Sequence, residues 1–257
     1  MSKTRIFLAG DSTVQSYPKE KEPQTGWGQV WWEYFQGAEQ CVSYPSDSVF
    51  SQAVCYELAD VIIDNRAMAG RSSRSFREEG RLSDIAKAVG EGDYLLAQFG
   101  HNDANQAKEE RYVRPEDFGA SLAPFAELCA QKGAVFILVT PIAMRNCEDN
   151  PEGKFTYSFP EYREAMIRYA KEAGLPLLDL GKATTEYCGK LGAEECKKLF
   201  LWVKPGEYPD SECADGRQDN AHLQLAGARV FAGVLTELIQ NDNQDSQLDA
   251  LRSWLRR

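Results

Sequence analysis

The sequence of 257 residues has no apolar stretch long enough to cross a membrane as a helix. Its first residues, MSKTRIFLAGD, are apolar over too short a run for a secretory signal peptide. Basic residues are in the minority, with 29 Lys and Arg against 39 Asp and Glu, and the formal net charge of −10 opposes binding to nucleic acid or to anionic lipid. We therefore expect no nucleic-acid or membrane partner, and the oligomeric state stays open between monomer and dimer.

The seven cysteines lack the spacings of common metal and redox motifs. They contain no C-x-x-C pair and no zinc-ligand spacing, so the sequence predicts neither a metal nor an organic cofactor. An odd number of scattered thiols is typical of reduced proteins and predicts a cytoplasmic location. The alternative is an exported protein in which two of Cys188, Cys196 and Cys213 pair, since these three lie close together in sequence.

Short apolar runs alternate with longer amphipathic patterns along most of the chain. This alternation predicts an α/β fold in which a five-stranded parallel sheet is covered by helices on both faces. The segments 39–60, 104–114, 142–159 and 182–218 are less regular, and we expect them to form the rim above the sheet. The predicted strands are 5–9, 61–65, 94–99, 135–140 and 175–180, and the predicted helices are 27–35, 82–89, 115–132, 160–173 and 223–240.

No internal repeat, low-complexity tract or long linker divides the chain. We predict one domain over residues 1–240 and a C-terminal extension over residues 241–257. The polar segment 240–246 is suited to a flexible joint, and LDALRSWLRR has the pattern of a short amphipathic helix. Docking of this helix on the domain is favoured over a dimer contact or a membrane anchor.

The first predicted strand runs directly into Gly10-Asp11-Ser12-Thr13. Backbone amides at the start of a following helix would point toward a serine at this position and stabilise negative charge on a carbonyl oxygen. Ser12 is therefore a candidate nucleophile. The motif alone is more typical of an ordinary turn and helix cap, so its meaning depends on a base elsewhere in the chain.

Only two histidines, His101 and His222, are available to take a proton from a serine. His222 ends the segment Asp219-Asn220-Ala221-His222, just before the last predicted helix. The spacing allows Asp219 to reach the ring nitrogen that faces away from the serine, where a carboxylate fixes the tautomer and stabilises the imidazolium. The alternative is a helix cap at Asp219 beside a surface histidine, and the segment alone does not decide between the two.

Two more loops follow predicted strands at the same edge of the sheet. The second strand leads to Ala69 and Gly70, whose small size would let the backbone N–H of Gly70 approach a substrate. The third strand leads to Asn102, which would place a carboxamide donor beside it. Each loop alone could be a turn, but their joint occurrence with Ser12 and His222 favours a site in which these donors could stabilise an oxyanion.

The four blocks GDS, the Gly70 loop, GHND and DNAH occur in the order found in the GDSL/SGNH hydrolase superfamily, which the sequence resembles over nearly its whole length. The segments AGDSTV, NRAMAGRSSRSF, FGHND and DNAHLQLAGA are most similar to the rhamnogalacturonan acetylesterases, which act on acetylated pectin backbones. The resemblance implies a flavodoxin-like, three-layer α/β/α fold. It also implies an esterase that removes acetyl groups from carbohydrate by way of an acyl-enzyme.

The resemblance assigns a role to each of these residues. It implies that Ser12 is the nucleophile, His222 the base and Asp219 the residue that orients this base. The oxyanion hole would consist of the N–H groups of Ser12 and Gly70 and the side chain of Asn102. The other histidine, His101, is then expected to shape the loop that carries Asn102.

Three arginines close to the Gly70 loop are candidates for binding an acidic sugar. Arg71, Arg74 and Arg77 could pair with uronate carboxylates, and Arg74 is the best candidate of the three. The alternative is a set of surface ion pairs with Glu78, Glu79 and other acids at helix spacing.

Trp27 and Asp11 complete the predicted substrate-binding residues. Trp27 lies nearest the catalytic turn and shares a helix face with Trp31, so it could stack on a sugar ring, although aromatic pairs at this spacing are more often core. Asp11 directly precedes the proposed nucleophile. Comparable aromatic candidates in the rim are Tyr157, Phe159, Trp202 and Tyr208.

Two other functions fit less of the sequence. A lipid or thioester hydrolase would use the same catalytic blocks, but the polar segments 104–114 and 145–159 offer no apolar groove for an acyl chain. A non-catalytic, ligand-binding domain of flavodoxin-like shape would have no need for Ser12, Asp219 and His222 together with two oxyanion donors.

Overall fold

A computed structural model describes residues 3–256. Its central sheet has seven strands in the order β2-β3-β4-β1-β5-β6-β7. The five strands β4, β1, β5, β6 and β7 are parallel to one another. At one edge of the sheet, β3 pairs antiparallel with both β4 and β2. These strands are β1 (Thr4–Gly10), β2 (Val42–Pro45), β3 (Val54–Glu57), β4 (Val61–Asn65), β5 (Tyr94–Gln98), β6 (Val135–Val139) and β7 (Leu177–Leu178).

Nine α-helices lie within the described residues. A separate pair of antiparallel strands, β8 (Phe200–Val203) and β9 (Arg217–Leu223), precedes the eighth of these helices. The helices are α1 (Trp27–Val30), α2 (Ser73–Glu78), α3 (Arg81–Ala88), α4 (Pro115–Lys132), α5 (Pro160–Ala173), α6 (Leu180–Leu191), α7 (Ala193–Cys196), α8 (Leu225–Asn241) and α9 (Asp249–Trp254).

The sheet separates two hydrophobic cores. In β1, Ile6 and Leu8 face one core and Phe7 and Ala9 face the other, because successive side chains of a strand point to opposite faces. The first core contains residues of α1, α6, α8 and α9, and the second contains residues of α2 to α5. Each fully buried leucine or phenylalanine stabilises the fold by roughly 1.5–3 kcal/mol. This three-layer α/β/α arrangement confirms the predicted fold class.

Local signals explain why α4 and α5 begin and end where the sequence predicts. Both start with proline at the first helical position, at Pro115 and Pro160, where a missing N–H leaves no helical hydrogen bond unmade. Both are followed by glycine in the left-handed conformation, Gly133 at φ 70° and Gly174 at φ 65°.

Three predicted segments differ from the structure. The segment 39–60, which was predicted to be irregular, contains β2 and β3. These two strands join the five parallel strands to give a sheet of seven. The irregular segment 182–218 contains α7, β8 and most of α6. The predicted helix 27–35 is only the short α1 followed by a 3-10 turn over Trp31–Tyr34. Trp27 and Trp31 of this segment are buried in the core, and burial does not require a regular helix.

The C-terminal segment forms α9 within residues 241–256. Leu248, Leu251 and Leu255 are buried in the same core as Trp31. The backbone N–H of Gln36 also donates to the carbonyl of Trp254 at 2.9 Å. This segment therefore packs against the rest of the chain. Within residues 3–256, no helix combines the length and apolar character that a membrane span needs.

All seven cysteines are free thiols in the structure. Cys188 and Cys196 are neighbours in the first core, where the Sγ of Cys196 lies 3.4 Å from the carbonyl oxygen of Cys188. Cys213 belongs to a separate small cluster with Leu201 and Val203. The disulfide considered as an alternative for two of Cys188, Cys196 and Cys213 is therefore not formed in the structure.

Candidate active site

A cavity of about 500 Å³ opens beyond the carboxyl ends of the parallel strands. Ser12 follows β1, the loop with Gly70 follows β4, and Asn102 follows β5. His222 reaches the same cavity from β9, which lies outside the main sheet. Parallel strands end at a common edge, so Ser12, Gly70 and Asn102 meet there because of the sheet topology.

Ser12, His222 and Asp219 form a continuous chain of contacts. The Nε2 atom of His222 lies 3.1 Å from the Oγ atom of Ser12, and its Nδ1 atom lies 2.8 Å from Oδ2 of Asp219. These distances are within hydrogen-bond range. A hydroxyl joined to an imidazole that is joined to a carboxylate is the arrangement that activates serine for nucleophilic attack.

The Asp219-x-x-His222 spacing is also a local backbone motif. The Oδ1 atom of Asp219 accepts the backbone N–H groups of Ala221 at 2.8 Å and His222 at 3.0 Å, while Oδ2 faces the ring. Burial would raise the pKa of Asp219, but these hydrogen bonds and the charge of His222 outweigh it and hold that pKa well below its usual value. The side chain is therefore a carboxylate at any pH near neutral.

The turn after β1 is shaped by buried polar contacts. Asp11 is fully buried and its Oδ1 accepts the N–H of Thr13 at 2.9 Å and the Thr13 hydroxyl at 2.8 Å. The hydroxyl of Tyr17 donates to the carbonyl of Ser12 at 2.8 Å. A Cβ atom at Gly10 would lie 2.7 Å from a Val14 methyl, so glycine is required before the serine by close packing.

The expected oxyanion donors line the same cavity as His222. The backbone N–H groups of Ser12 and Gly70 find no acceptor among residues 3–256. Asn102 donates one N–H of its amide to the carbonyl of Arg71 at 3.1 Å, which leaves its second N–H free. Gly70 has φ 78°, a conformation that favours glycine. Three unpaired donors therefore line one cavity.

Asp103, the last residue of the GHND block, ties the two oxyanion loops together. Its Oδ1 accepts the N–H of Ser73 at 3.0 Å and the Ser73 hydroxyl at 2.5 Å, and its Oδ2 accepts the N–H of Gly100 at 2.9 Å. Burial raises the pKa of Asp103 to about 7, against the opposing effect of these hydrogen bonds. Asp103 was not among the residues predicted from the sequence to form the site.

His101 lies in the cavity wall and does not hydrogen-bond to Ser12 in the described structure. Its Nδ1 atom is 3.5 Å from Oδ2 of the buried Asp11, and its ring packs edge-on against Phe159 with 4.7 Å between centroids. Of the two histidines, only His222 is within hydrogen-bond distance of the Ser12 hydroxyl.

The structure does not place Asp11, Trp27 or Arg74 in contact with the cavity. Asp11 and Trp27 are 0% and 1% exposed, and the Trp27 indole N–H donates to Gln98 at 2.8 Å inside the core. Arg74 pairs with Glu78 at 2.9 Å and lines a different depression. Their expected substrate contacts are therefore corrected, because the first two are buried and the third is paired on another surface.

The aromatic residues of the rim also differ in whether they line the cavity. Phe159 lines the cavity next to Ser12. Tyr157 and Tyr208 line two other depressions. Trp202 stands behind the segment that carries His222, where its indole N–H donates to Oδ1 of Asn220 at 2.9 Å.

Arg145, which no sequence pattern singled out, and Trp202, which was predicted only as a possible sugar contact, support the segment of His222. The backbone N–H of Arg145 donates to the carbonyl of Asn220 at 2.8 Å. The Arg145 guanidinium is 1% exposed and stacks on Trp202, 5.0 Å from the ring centroid. Nothing in the sequence around residue 145 marks it as a contact of a residue 75 positions later.

Comparison with known proteins identifies relatives over nearly the full chain, although no protein-family profile matches it. The chain is 36% identical to the rhamnogalacturonan acetylesterase RhgT of Bacillus subtilis over 236 residues, which cover 92% of the chain and 89% of RhgT. It is 31% identical to the probable rhamnogalacturonan acetylesterase YesY of the same organism, over 91% of the chain and 92% of YesY.

Two crystal structures have a similar fold. The structure of YxiM from Bacillus subtilis has a TM-score of 0.72 at 25% identity, and the match covers 95% of this chain and 58% of that one. The acetylxylan esterase Axe2 of Geobacillus stearothermophilus has a TM-score of 0.60 over 95% of this chain and 98% of its own, at 14% identity, which shows the fold alone. By its identity to RhgT over nearly the full length of both proteins, the chain belongs to the rhamnogalacturonan acetylesterase family and is a carboxylic ester hydrolase.

Proposed function

We propose that this enzyme removes acetyl groups from acetylated rhamnogalacturonan oligosaccharides, using Ser12 as nucleophile, His222 as base and Asp219 as the residue that orients this base. The observation that carries the proposal is the 3.1 Å contact between Nε2 of His222 and Oγ of Ser12, with the Asp219 carboxylate on the opposite ring nitrogen. The relatives RhgT and YesY bear the names of rhamnogalacturonan acetylesterases.

The first half of the reaction forms an acetyl-enzyme. Ser12 Oγ attacks the carbonyl carbon of the acetyl ester while His222 Nε2 takes the hydroxyl proton. The resulting oxyanion would accept hydrogen bonds from the N–H groups of Ser12 and Gly70 and from the Asn102 amide. The tetrahedral intermediate then expels the sugar oxygen, which receives the proton from His222 and leaves as an alcohol.

The second half regenerates the enzyme. A water molecule attacks the acetyl carbonyl and transfers a proton to Nε2 of His222. The same three donors stabilise the second oxyanion. Ser12 Oγ leaves with the proton from His222, and acetate is released. Asp219 remains a carboxylate throughout because its pKa is strongly lowered.

The character of the cavity supports a short acyl group on a polar alcohol. Its polar lining includes Asn105 and Arg111, and its apolar lining includes Ala104, Met144 and Phe159. A methyl group can be buried by these apolar side chains, whereas a sugar would face the polar ones. A lipid or thioester hydrolase with the same triad is the alternative, and it would require space for a long acyl chain. The cytoplasmic location and the absence of a nucleic-acid partner stay predictions.

Acetate release from defined substrates tests the proposal. We expect acetylated rhamnogalacturonan oligosaccharides to be hydrolysed with a higher kcat/KM than acetylated xylo-oligosaccharides or p-nitrophenyl esters of long fatty acids. Ser12→Ala should lose both this activity and labelling by a fluorophosphonate probe, because that probe reacts only with an activated serine. Preference for the long-chain esters would contradict the substrate class, and labelling of Ser12→Ala would contradict the nucleophile.

A further inference from the structure

The side chain of Arg111 joins the two loops that carry the expected oxyanion donors. Its Nη1 atom donates to the carbonyl oxygen of Gly70 at 2.9 Å and to Oδ1 of Asn102 at 3.0 Å. The side chain is 21% exposed and lines the same cavity as Ser12 and His222. We propose that Arg111 is a positioning residue that holds Gly70 and Asn102 in the geometry needed for oxyanion binding, an inference that rests on the proposed esterase function.

Arg111 and the carbonyl of Arg71 together fix the orientation of the Asn102 amide. A guanidinium can only donate hydrogen bonds, so the amide atom that it contacts must be the oxygen. The carbonyl of Arg71 can only accept, and it takes one hydrogen of the Asn102 nitrogen at 3.1 Å. The second hydrogen stays available for an oxyanion. Without Arg111, only the carbonyl of Arg71 would oppose rotation of the amide by half a turn, which would replace this donor with an acceptor.

The same guanidinium fixes the backbone around Gly70. The carbonyl of Gly70 accepts from Arg111, and on the preceding side the N–H of Ala69 donates to Oε1 of Gln15 at 2.6 Å. The N–H of Gly70 lies between these two held peptides. A Cβ atom at this position would lie 3.1 Å from Nη1 of Arg111, so glycine also leaves the space that the guanidinium occupies.

The segment that carries Arg111 is itself anchored. The N–H of Arg111 donates to the carbonyl of Lys108 at 3.0 Å, and the N–H of Val113 donates to the carbonyl of Asp103 at 3.0 Å. The hydroxyl of Tyr162 donates to the carbonyls of Asp103 and Val113, at 3.1 and 2.6 Å. The nearest carboxylate is Glu110, whose Oε1 is 4.0 Å from Nε of Arg111, so the positive charge remains beside the oxyanion donors.

A double-mutant cycle tests this role on p-nitrophenyl acetate, a substrate without charge. Arg111→Met keeps much of the apolar length of the side chain and removes its donors. We expect its kcat to fall by about tenfold to a hundredfold, less than the hundredfold to thousandfold loss from removing an oxyanion donor outright, with a smaller change in KM. In an Asn102→Ala background the same substitution should lower kcat much less, because its main partner is already absent.

Conservative and control variants separate positioning from a purely structural role. Arg111→Lys should retain more activity than Arg111→Met, and guanidinium added below denaturing concentrations should restore part of the kcat of Arg111→Ala. Arg114→Met changes an exposed arginine of the same segment, which pairs with Asp117, and should keep the wild-type kcat. Thermal melting of each variant reports any loss of folded protein.

The outcomes distinguish failure of this inference from failure of the proposed function. If wild-type enzyme hydrolyses acetyl esters but Arg111→Met matches it, or if the effects of Arg111→Met and Asn102→Ala multiply independently, the positioning role is wrong. If Arg111→Met changes only KM, and only for acidic oligosaccharides, Arg111 binds substrate and does not position the donors. If the wild-type enzyme hydrolyses no acetyl ester, the proposed function itself fails.

Discussion

The two sides of the cavity are built by different parts of the fold. The oxyanion side consists of loops after β1, β4 and β5, whose ends meet because the strands are parallel neighbours. The proposed acid–base side is carried by β9, which within residues 3–256 pairs with β8 and belongs to no strand pair of the main sheet. Sheet topology therefore gathers the proposed oxyanion donors, whereas Asp219 and His222 depend on a local motif and on contacts that hold β9 in place.

Those contacts come from distant segments of the chain. The N–H of Thr25 donates to the carbonyl of Leu223 at 3.0 Å, and the N–H of Arg145 donates to the carbonyl of Asn220 at 2.8 Å. A Cβ atom at Gly227 would lie 2.0 Å from the carbonyl oxygen of Leu199, so α8 begins in close contact with the segment before β8. The acid–base side is thus positioned by a few specific contacts, and its geometry should be easier to disturb than that of the oxyanion side.

The largest effect should follow removal of the base. His222→Ala is expected to lower kcat by about 10⁴- to 10⁶-fold, because Ser12 then lacks a proton acceptor. His101→Ala should retain far more activity, since His101 contacts Asp11 and Phe159 and makes no hydrogen bond to Ser12 in the described structure. Steady-state kinetics on p-nitrophenyl acetate measures both variants. The reverse order of activities would assign the base to the oxyanion side and overturn the comparison.

Removal of one oxyanion donor should have the next largest effect. Asn102→Ala is expected to lower kcat by roughly a hundredfold to a thousandfold, because the negative charge on the carbonyl oxygen loses one of three hydrogen bonds. The KM should change little, because the donor acts mainly on the charged intermediate. Asn105→Ala, which changes an exposed asparagine of the same cavity, serves as the control when activity is measured on p-nitrophenyl acetate, a substrate without a sugar. A loss confined to KM would place Asn102 in ground-state binding instead.

The sequence predicted the main features of both sides for different reasons. The apolar runs located the five parallel strands, and strand ends located Gly70 and Asn102, because parallel topology turns sequence positions into spatial neighbours. The triad distances agree with the spacing argument for Asp219 and His222. The position of β9 could not be read, since it is mostly polar and carries no alternating apolar pattern, whereas β8 is a short apolar run inside a segment that was expected to be irregular.

The predicted substrate residues show where sequence reasoning fails. Trp27 and Asp11 lie next to the nucleophile in sequence, but proximity along the chain does not reveal which side chains are buried. Arg74 follows the Gly70 loop, but its guanidinium forms an ion pair with the carboxylate of Glu78, one helical turn later. Arg111 contacts a carbonyl 41 positions earlier, in a polar segment that resembles any surface loop. Such long-range polar contacts leave no periodic signal.

A smaller effect should follow when one support of the acid–base side is removed. Trp202→Phe deletes the indole N–H that donates to Asn220 but keeps an aromatic ring over Arg145. We expect kcat to fall by about threefold to tenfold, because the His222 segment loses one hydrogen bond and retains the backbone contact from Arg145. Trp32→Phe is a matched control, since its indole N–H donates only to the carbonyl of Gln29, away from the cavity. Equal kcat values for the two variants would show that the segment is held without Trp202.

The smallest effect on activity, and a distinctive effect on stability, is expected at Asp103 on the oxyanion side. Because burial raises its pKa in the folded protein to about 7, above the value of an exposed carboxyl, the folded state binds the proton more tightly than the unfolded state. The stabilising contribution of this carboxyl is then fully present at low pH and is lost as the pH rises through about 7. Asp103→Asn keeps a similar shape without a titrating group, so it has no such loss.

Thermal melting at pH 5 and pH 8 separates this effect from every other titrating group, because the others change equally in both proteins. The melting temperature of the wild type should fall more between these pH values than that of Asp103→Asn. The melting temperature of the wild type, relative to that of Asp103→Asn, should therefore fall as the pH rises. Equal changes in melting temperature for the two proteins between pH 5 and pH 8 would mean that the hydrogen bonds from Ser73 and Gly100 keep Asp103 ionised in spite of its burial. In that case the oxyanion loops would be joined by a permanent buried charge, and this side would depend on a few specific contacts just as the acid–base side does.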